Sequence, residues 1–135
     1  MSDWNDKIIE EFRSSGGQVG GQFADAPLLL LTSTGAKSGK KRTSPMMYLE
    51  DGDRMAVFAS KAGAPTNPDW YRNLVAHPRA TVEVGTETFD VDAETAGPEE
   101  RDRLYAIQAE RYAGFADYER QTTRVIPVVL LRRAS

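Results

Sequence analysis

Between Asp25 and Glu50 the sequence carries Lys37, Lys40, Lys41 and Arg42 and not one acidic residue. In a chain of formal net charge −3, that segregation marks a local positive patch. Gly35 and Gly39 punctuate it, and glycine admits the positive backbone angles that let successive amide N–H groups converge on an anion. Thr34, Ser38, Thr43 and Ser44 add hydroxyl donors. Charge-assisted hydrogen bonds contribute roughly 1.5–3 kcal/mol each, so a few of them carry much of a micromolar affinity. The chemistry this stretch points to is capture of an anionic, phosphate-bearing cofactor. It is not a nucleoside triphosphate loop: only three residues separate Gly35 from Gly39, Lys41 stands where that motif needs a hydroxyl, and Pro45 obstructs the following helix. The plain alternative is a lysine-rich, solvated turn.

A second group runs from Ser60 to Asn73. A strand ends in Ser60-Lys61, the small residues Ala62, Gly63 and Ala64 follow, and a helix opens around Trp70. Small side chains let a planar ring approach the backbone. Ser60 and the amides after it can meet polar ring edges, and Lys61 can steady negative charge there. Trp70 and Asn73 are three apart, hence neighbours on a helix. The plain readings are a core anchor for Trp70 and a loop-satisfying amide for Asn73. A third group is Tyr112, Phe115 and Tyr118. Aromatics at this spacing can line one wall of a cavity, and a tyrosine hydroxyl can donate a proton or bind a carbonyl or nitro oxygen. Their plain reading is core packing. His77 reads as a helix-end residue with no catalytic part.

Composition narrows the choices. There is no cysteine and a single histidine, which excludes disulfides, a thiol nucleophile and a structural zinc, and no metal is expected. Absence of cysteine fits a reducing cytoplasm, the expected location. No signal-peptide layout opens the chain, and the longest apolar run, Ala26 to Leu31, is too short to span a bilayer. Asp3, Asp6, Glu10 and Glu11 outnumber Lys7 and Arg13 near the N-terminus, the wrong sign for anionic lipid. The acidic balance argues against nucleic acid as a partner. A small electrophilic molecule is the expected one.

These groups need a scaffold. The 135 residues suffice for one domain with a real core, and no repeat or linker divides them. Asp3 to Phe12 has a helical apolar spacing through Trp4, Ile8 and Phe12. The glycine-rich run Gly16 to Gly21 makes residues 1–21 a helix on a flexible connection, a candidate lid with Trp4 over a substrate pocket. Strands are expected at Leu28–Thr34, Arg42–Leu49, Arg54–Ala59, Ala80–Val84, Glu87–Ala93 and Val125–Arg132, with turns at Glu50–Asp53 and Gly85. Helices are expected at Asn67–Ala76, with Asn67 as cap, and at Glu99–Tyr112. Pro127 suggests that the last strand is an edge or that the proline begins it. An edge there makes a homodimer possible beside a monomer. The sum is mainly β (α+β): six strands dominated by hairpins and three to four helices, naturally closed as a small antiparallel barrel.

The segments Leu31 to Pro45, Ala59 to Ala64 with Asn67 to Leu74, and Tyr112 to Tyr118 with Arg124 to Val128 resemble, in order and spacing, the deazaflavin-dependent nitroreductase family. The likeness covers nearly the whole chain from Pro27. It implies a six-stranded split β-barrel related to the FMN-binding barrels, the cofactor coenzyme F-420, and hydride transfer to an activated double bond, quinone or nitro-aromatic. It implies that Lys37 and Arg42 hold the cofactor phosphate within the stretch Lys37, Ser38, Gly39, Lys40, Lys41, Arg42 and Thr43, with Ser44 and Pro45 near the ring. It implies that Phe58, Ser60, Lys61, Ala62 and Gly63 border the ring, with Trp70 and Asn73 behind it. Ser60, Tyr112 and Tyr118 are the candidate catalytic donors, and Met47, Phe115 and Trp4 the candidate substrate wall. Ala36 stands where the family often has a basic residue, with Lys40 and Lys41 able to compensate. Met47 replaces a tyrosine of the prodrug-activating nitroreductase and Phe115 lacks a hydroxyl, which weighs against nitro-prodrug reduction. FMN is the alternative cofactor on such a barrel, and a non-catalytic cofactor carrier the alternative role.

Overall fold

In the computed structural model, which describes residues 3–16, 27–63 and 66–134 (backbone alone at 3–5 and 62), the leucine run 28–31 organises the fold. It lies in β1 (Leu28–Thr34), and all four leucines are buried. Successive strand side chains point to opposite faces. Leu29 and Leu31 enter an interior cluster with Val57, Val82, Val91 and Leu131, while Leu28 and Leu30 lie against Phe12. Cover on both faces explains a continuous apolar strand in an antiparallel sheet.

The other strands are β2 (Lys41–Asp51), β3 (Arg54–Phe58), β4 (Arg79–Val84), β5 (Glu87–Thr95) and β6 (Val128–Arg133). They close an antiparallel barrel in the order β1-β2-β3-β6-β5-β4, with β4 returning to β1. Helix α1 (Asp3–Ser14) packs Phe12 onto β1. Helix α2 (Asp69–Ala76) inserts Leu74 into the interior cluster and so plugs one end. Helices α3 (Pro98–Arg111) and α4 (Ala113–Gln121) bring Leu104, Tyr105, Phe115 and Tyr118 onto Phe58, Val128 and Leu130.

The expected mainly β, six-stranded barrel is present, with four α-helices among the described residues. Several details differ. The last strand begins at Val128, after Pro127, and is no edge: β6 pairs with β3 on one side and β5 on the other. Barrel closure therefore removes the edge-strand argument for a homodimer. Asn67 does not cap α2. Pro68 occupies the cap position without a side-chain bond, and Asn67 Oδ1 accepts from Arg124 instead. Tyr112 is the hinge between α3 and α4 rather than the last residue of one helix, and the residues after it form a helix of their own. Helix α1 is anchored: Phe12 is buried, and Arg13 donates twice to Glu83, at 3.0 and 2.8 Å. Of the flexible connection expected at Gly16 to Gly21, residues 17–21 lie outside the described residues, as do the side chains of Trp4 and Ala62.

Candidate functional site

The β1–β2 hairpin carries the basic loop. Gly35 N–H donates to Lys40 O at 2.8 Å and Gly39 N–H to Gly35 O at 3.0 Å, which cinches the loop at its base. Gly39 sits at φ 71°, where glycine is unstrained. A Cβ on Gly35 would come within 2.5 Å of Ser38 Oγ and 3.3 Å of Lys40 O, so a larger residue there would have to displace the Ser38 side chain. Register then sorts the cations. Arg42 and Ser44 pair with Ser33 and Leu31, on the face of β2 that carries Met46 and Tyr48 toward the interior cluster. Lys41 falls on the other face, where its Nζ donates to Thr34 Oγ1 at 2.9 Å.

Helix α2 forms the opposite wall. Between loop and helix lies a cleft of about 750 Å³ lined by Lys37, Ser38, Arg42, Thr43 and Ser44 on one side and Asp69, Trp70, Arg72 and Asn73 on the other. Trp70 serves both of its readings: it lines the cleft and packs on the interior cluster. Asn73 is buried, and both ends of its amide are engaged. Its Oδ1 accepts from Ala36 N–H at 3.0 Å, and its Nδ2 donates to Ser33 Oγ at 3.2 Å. The side chain read as lying behind a ring is thus the brace that ties the basic loop to α2. Arg72 is a further cation on the α2 wall, and it bonds Asp69 one turn away on the same helix at 3.0 Å.

The second group lies at the turn Lys61–Gly63, which follows β3 and precedes α2. Ser60 is buried and Lys61 exposed, with Lys61 Nζ donating to Thr66 Oγ1 at 3.3 Å. Lys61 adopts φ 46°, a left-handed conformation that costs a non-glycine residue roughly 1–2 kcal/mol. Arg124 holds this turn: its guanidinium donates to the carbonyls of Ala59 and Ser60 at 3.1 and 2.9 Å and to Asn67 Oδ1 at 2.9 Å. Burial lowers the Arg124 pKa from its ordinary value. Helix α4 packs on the same turn, and a Cβ on Gly63 would meet Gln121 Oε1 at 2.8 Å. The fold therefore places the aromatic helix beside the Ser60 turn.

Not every expected residue joins the cleft. Among its lining residues are Lys37, Ser38, Arg42, Thr43, Ser44, Trp70 and Asn73; Gly39, Lys40, Lys41, Pro45, Phe58, Ser60, Lys61 and Gly63 are not, and the side chain of Ala62 lies outside the described residues. Phe58 is 6% exposed, its ring edge-on to Tyr105 and Phe115 with centroids at 5.8 and 5.6 Å, so it is a core residue and not part of this lining. Phe115 and Tyr118 meet edge to face, centroids 5.3 Å apart, within that aromatic group. Met47 lies in another cluster, under Phe12 and Ile9 of α1. The candidate substrate wall thus divides between two clusters. Tyr105, absent from the sequence reading, is the strut of α4: its hydroxyl donates to Phe115 O at 2.6 Å, and burial pushes its pKa up to about 12. Its burial at the spacing of Arg101, Leu104 and Gln108 was the available signal. His77 ends α2, donating its N–H to Asn73 O at 2.8 Å, as expected.

The donor set suits a phosphate: Lys37 and Ser38 on a loop cinched by glycine, Arg42 and Ser44 on one face of the adjoining strand, beside the apolar ring of Trp70. A six-stranded barrel of the FMN-binding split-barrel kind with such a cleft defines the class of protein. The profile of the F420H(2)-dependent quinone reductases matches residues 4–133, and the chain belongs to that family. It is 40% identical over 126 residues to an F420H(2)-dependent quinone reductase of Mycobacterium tuberculosis, covering 90% of this chain and 85% of that protein. A solved F420-H2 dependent reductase, FDR-A, superposes with a TM-score of 0.71 at 40% identity, covering 78% of this chain and 94% of its own. A structure described as a domain-swapped dimer superposes with a TM-score of 0.74 at 37% identity, covering 96% and 98%. Among the described residues no helix is long and apolar enough to cross a membrane.

Proposed function

We propose that this protein is a deazaflavin-dependent reductase whose substrates are quinones. The observation that carries the reading is the cleft in which Lys37, Arg42 and their neighbouring hydroxyls face Trp70, in a chain of this family. When bound, coenzyme F-420 supplies the hydride. Lys37 and Arg42 hold its phosphate, assisted by the hydroxyls of Ser38 and Ser44. Trp70 offers its ring an apolar face, and the backbone from Ser60 to Gly63 borders the ring. The hydroxyls of Ser60, Tyr112 and Tyr118 are the candidate donors to an oxygen that gains negative charge. Met47 and Phe115 contribute apolar surface without hydroxyls, which favours quinones over nitro-aromatics.

The test is turnover of the reduced cofactor with a panel of quinones, enones and nitro-aromatics, followed by cofactor absorbance. Quinones are expected to turn over fastest. Binding without turnover across the panel, or turnover with reduced FMN and not with the deazaflavin, overturns the reading.

A further inference from the structure

Arg124 lies outside the cleft lining, in the segment leading to β6, yet it reaches two stretches of chain near the proposed ring site. Its guanidinium draws the carbonyls of Ala59 and Ser60 to one side, at 3.1 and 2.9 Å, and takes Asn67 Oδ1 at 2.9 Å. In a trans peptide the N–H points opposite to the carbonyl of the same plane. The N–H of Ser60 shares a plane with Ala59 C=O, and the N–H of Lys61 shares one with Ser60 C=O. Both amides are therefore turned away from Arg124, and neither has a partner among the described residues. The turn does not hold this shape unaided, since Lys61 sits at φ 46°. Two further contacts close it: Gly63 N–H donates to Ser60 O at 2.9 Å, and Gln121 fills the space below Gly63.

We propose that Arg124 is a positioning residue: by holding two successive carbonyls it presets the Ser60 and Lys61 amides as a donor pair for a ligand carbonyl or oxyanion. This rests on the proposed function for the identity of the ligand, which is an oxygen of the cofactor ring or of the quinone. The device resembles in principle an oxyanion hole, where fixed amides cost no reorganisation when charge develops. A guanidinium suits the task because its planar fork reaches several acceptors at once, which a lysine ammonium does not do in fixed geometry.

The test has two arms. In protein without cofactor, ¹⁵N relaxation reads whether the Ser60 and Lys61 amides are rigid. Wild type is expected to be rigid there, Arg124→Ala mobile at those two positions, and millimolar guanidinium is expected to restore order. In the loaded enzyme, Arg124→Ala is expected to lose roughly tenfold or more in kcat/KM, with partial recovery by guanidinium and a lesser loss in Arg124→Lys. A rise in cofactor Kd assigns the cofactor oxygen; a fall in kcat at unchanged Kd assigns the quinone oxygen. Equal mobility of these amides in wild type and variant, or a loss that follows the folded fraction and resists guanidinium, overturns the proposal. Failure of wild type to bind the deazaflavin strikes the functional reading instead and leaves the relaxation arm to decide on Arg124.

Discussion

At the residue scale the two walls of the cleft do different work. Arg42 supplies charge, whereas Asn73 supplies shape, because both ends of its amide are engaged by Ser33 and Ala36. Replacing Asn73 with Leu leaves the Ala36 N–H without its partner, a cost of about 1–3 kcal/mol in stability. Urea unfolding is expected to show that loss, and cofactor affinity is expected to fall while its dependence on salt keeps the wild-type slope, since the cations remain. A changed slope with unchanged stability contradicts the bracing role. The cations were legible in the sequence because their segregation from acidic residues is a property of composition. The roles of Asn73 and Arg124 were not, because they rest on hydrogen bonds spanning 37 and 57 to 65 residues, and spacing along the chain carries no trace of them. The packing of Phe58 was hidden for a related reason: in sequence a strand-end aromatic looks alike whether it borders a ligand or packs on Tyr105 and Phe115.

At the element scale two polar features of α3 lead to predictions. Gln108 is fully buried and neither atom of its amide finds a partner among the described residues. Gln108→Leu is expected to raise stability by about 1 kcal/mol, read as a higher urea midpoint. A lower midpoint would mean that the amide is satisfied in solution. At the other end of α3, Arg54 bonds both Asp51 and Glu100, and Arg103 reaches Asp51 at 3.2 Å, tying the β2–β3 hairpin to the helix. The bond from Arg54, then that from Arg103, hold the Asp51 carboxyl below its ordinary pKa. A depressed folded pKa means that this stabilisation is complete above the ordinary carboxylate range near pH ~4 and is lost as pH falls through the folded value. Asp51→Asn is therefore expected to lower stability at neutral pH and to flatten its decline below about pH 4. Parallel pH profiles for wild type and variant contradict the linkage. Neither feature was legible in advance, because α3 has weak amphipathic patterning and its polar residues read as solvated. Helix α4 was hidden for a simpler reason. Gly114 lowers its local helix propensity, and its stability comes from packing on Phe58 and Tyr105.

At the scale of the whole molecule, six alternating strands with glycine turns sufficed to read the barrel, since antiparallel hairpins are local and their period is short. Closure was not local. The pairing of β6 with both β3 and β5 joins residues far apart in the chain, so an apparent edge turned out to be an interior strand. That closure puts β1, whose hairpin carries the cations, against β4 and sets α2 into the opening, where loop and helix face one another. The site is thus a consequence of the barrel and its plug, and the basic loop alone does not make it. Under the proposed function, this cleft binds the deazaflavin phosphate through Arg42. The most direct measurement is fluorescence titration of wild type and Arg42→Ala with coenzyme F-420 and with FMN over a range of salt. Wild type is expected to saturate with the deazaflavin in preference to FMN. The variant is expected to bind roughly 10–100-fold more weakly with a reduced salt dependence. Equal affinity and equal salt dependence in the two proteins, or a preference for FMN, would contradict the account.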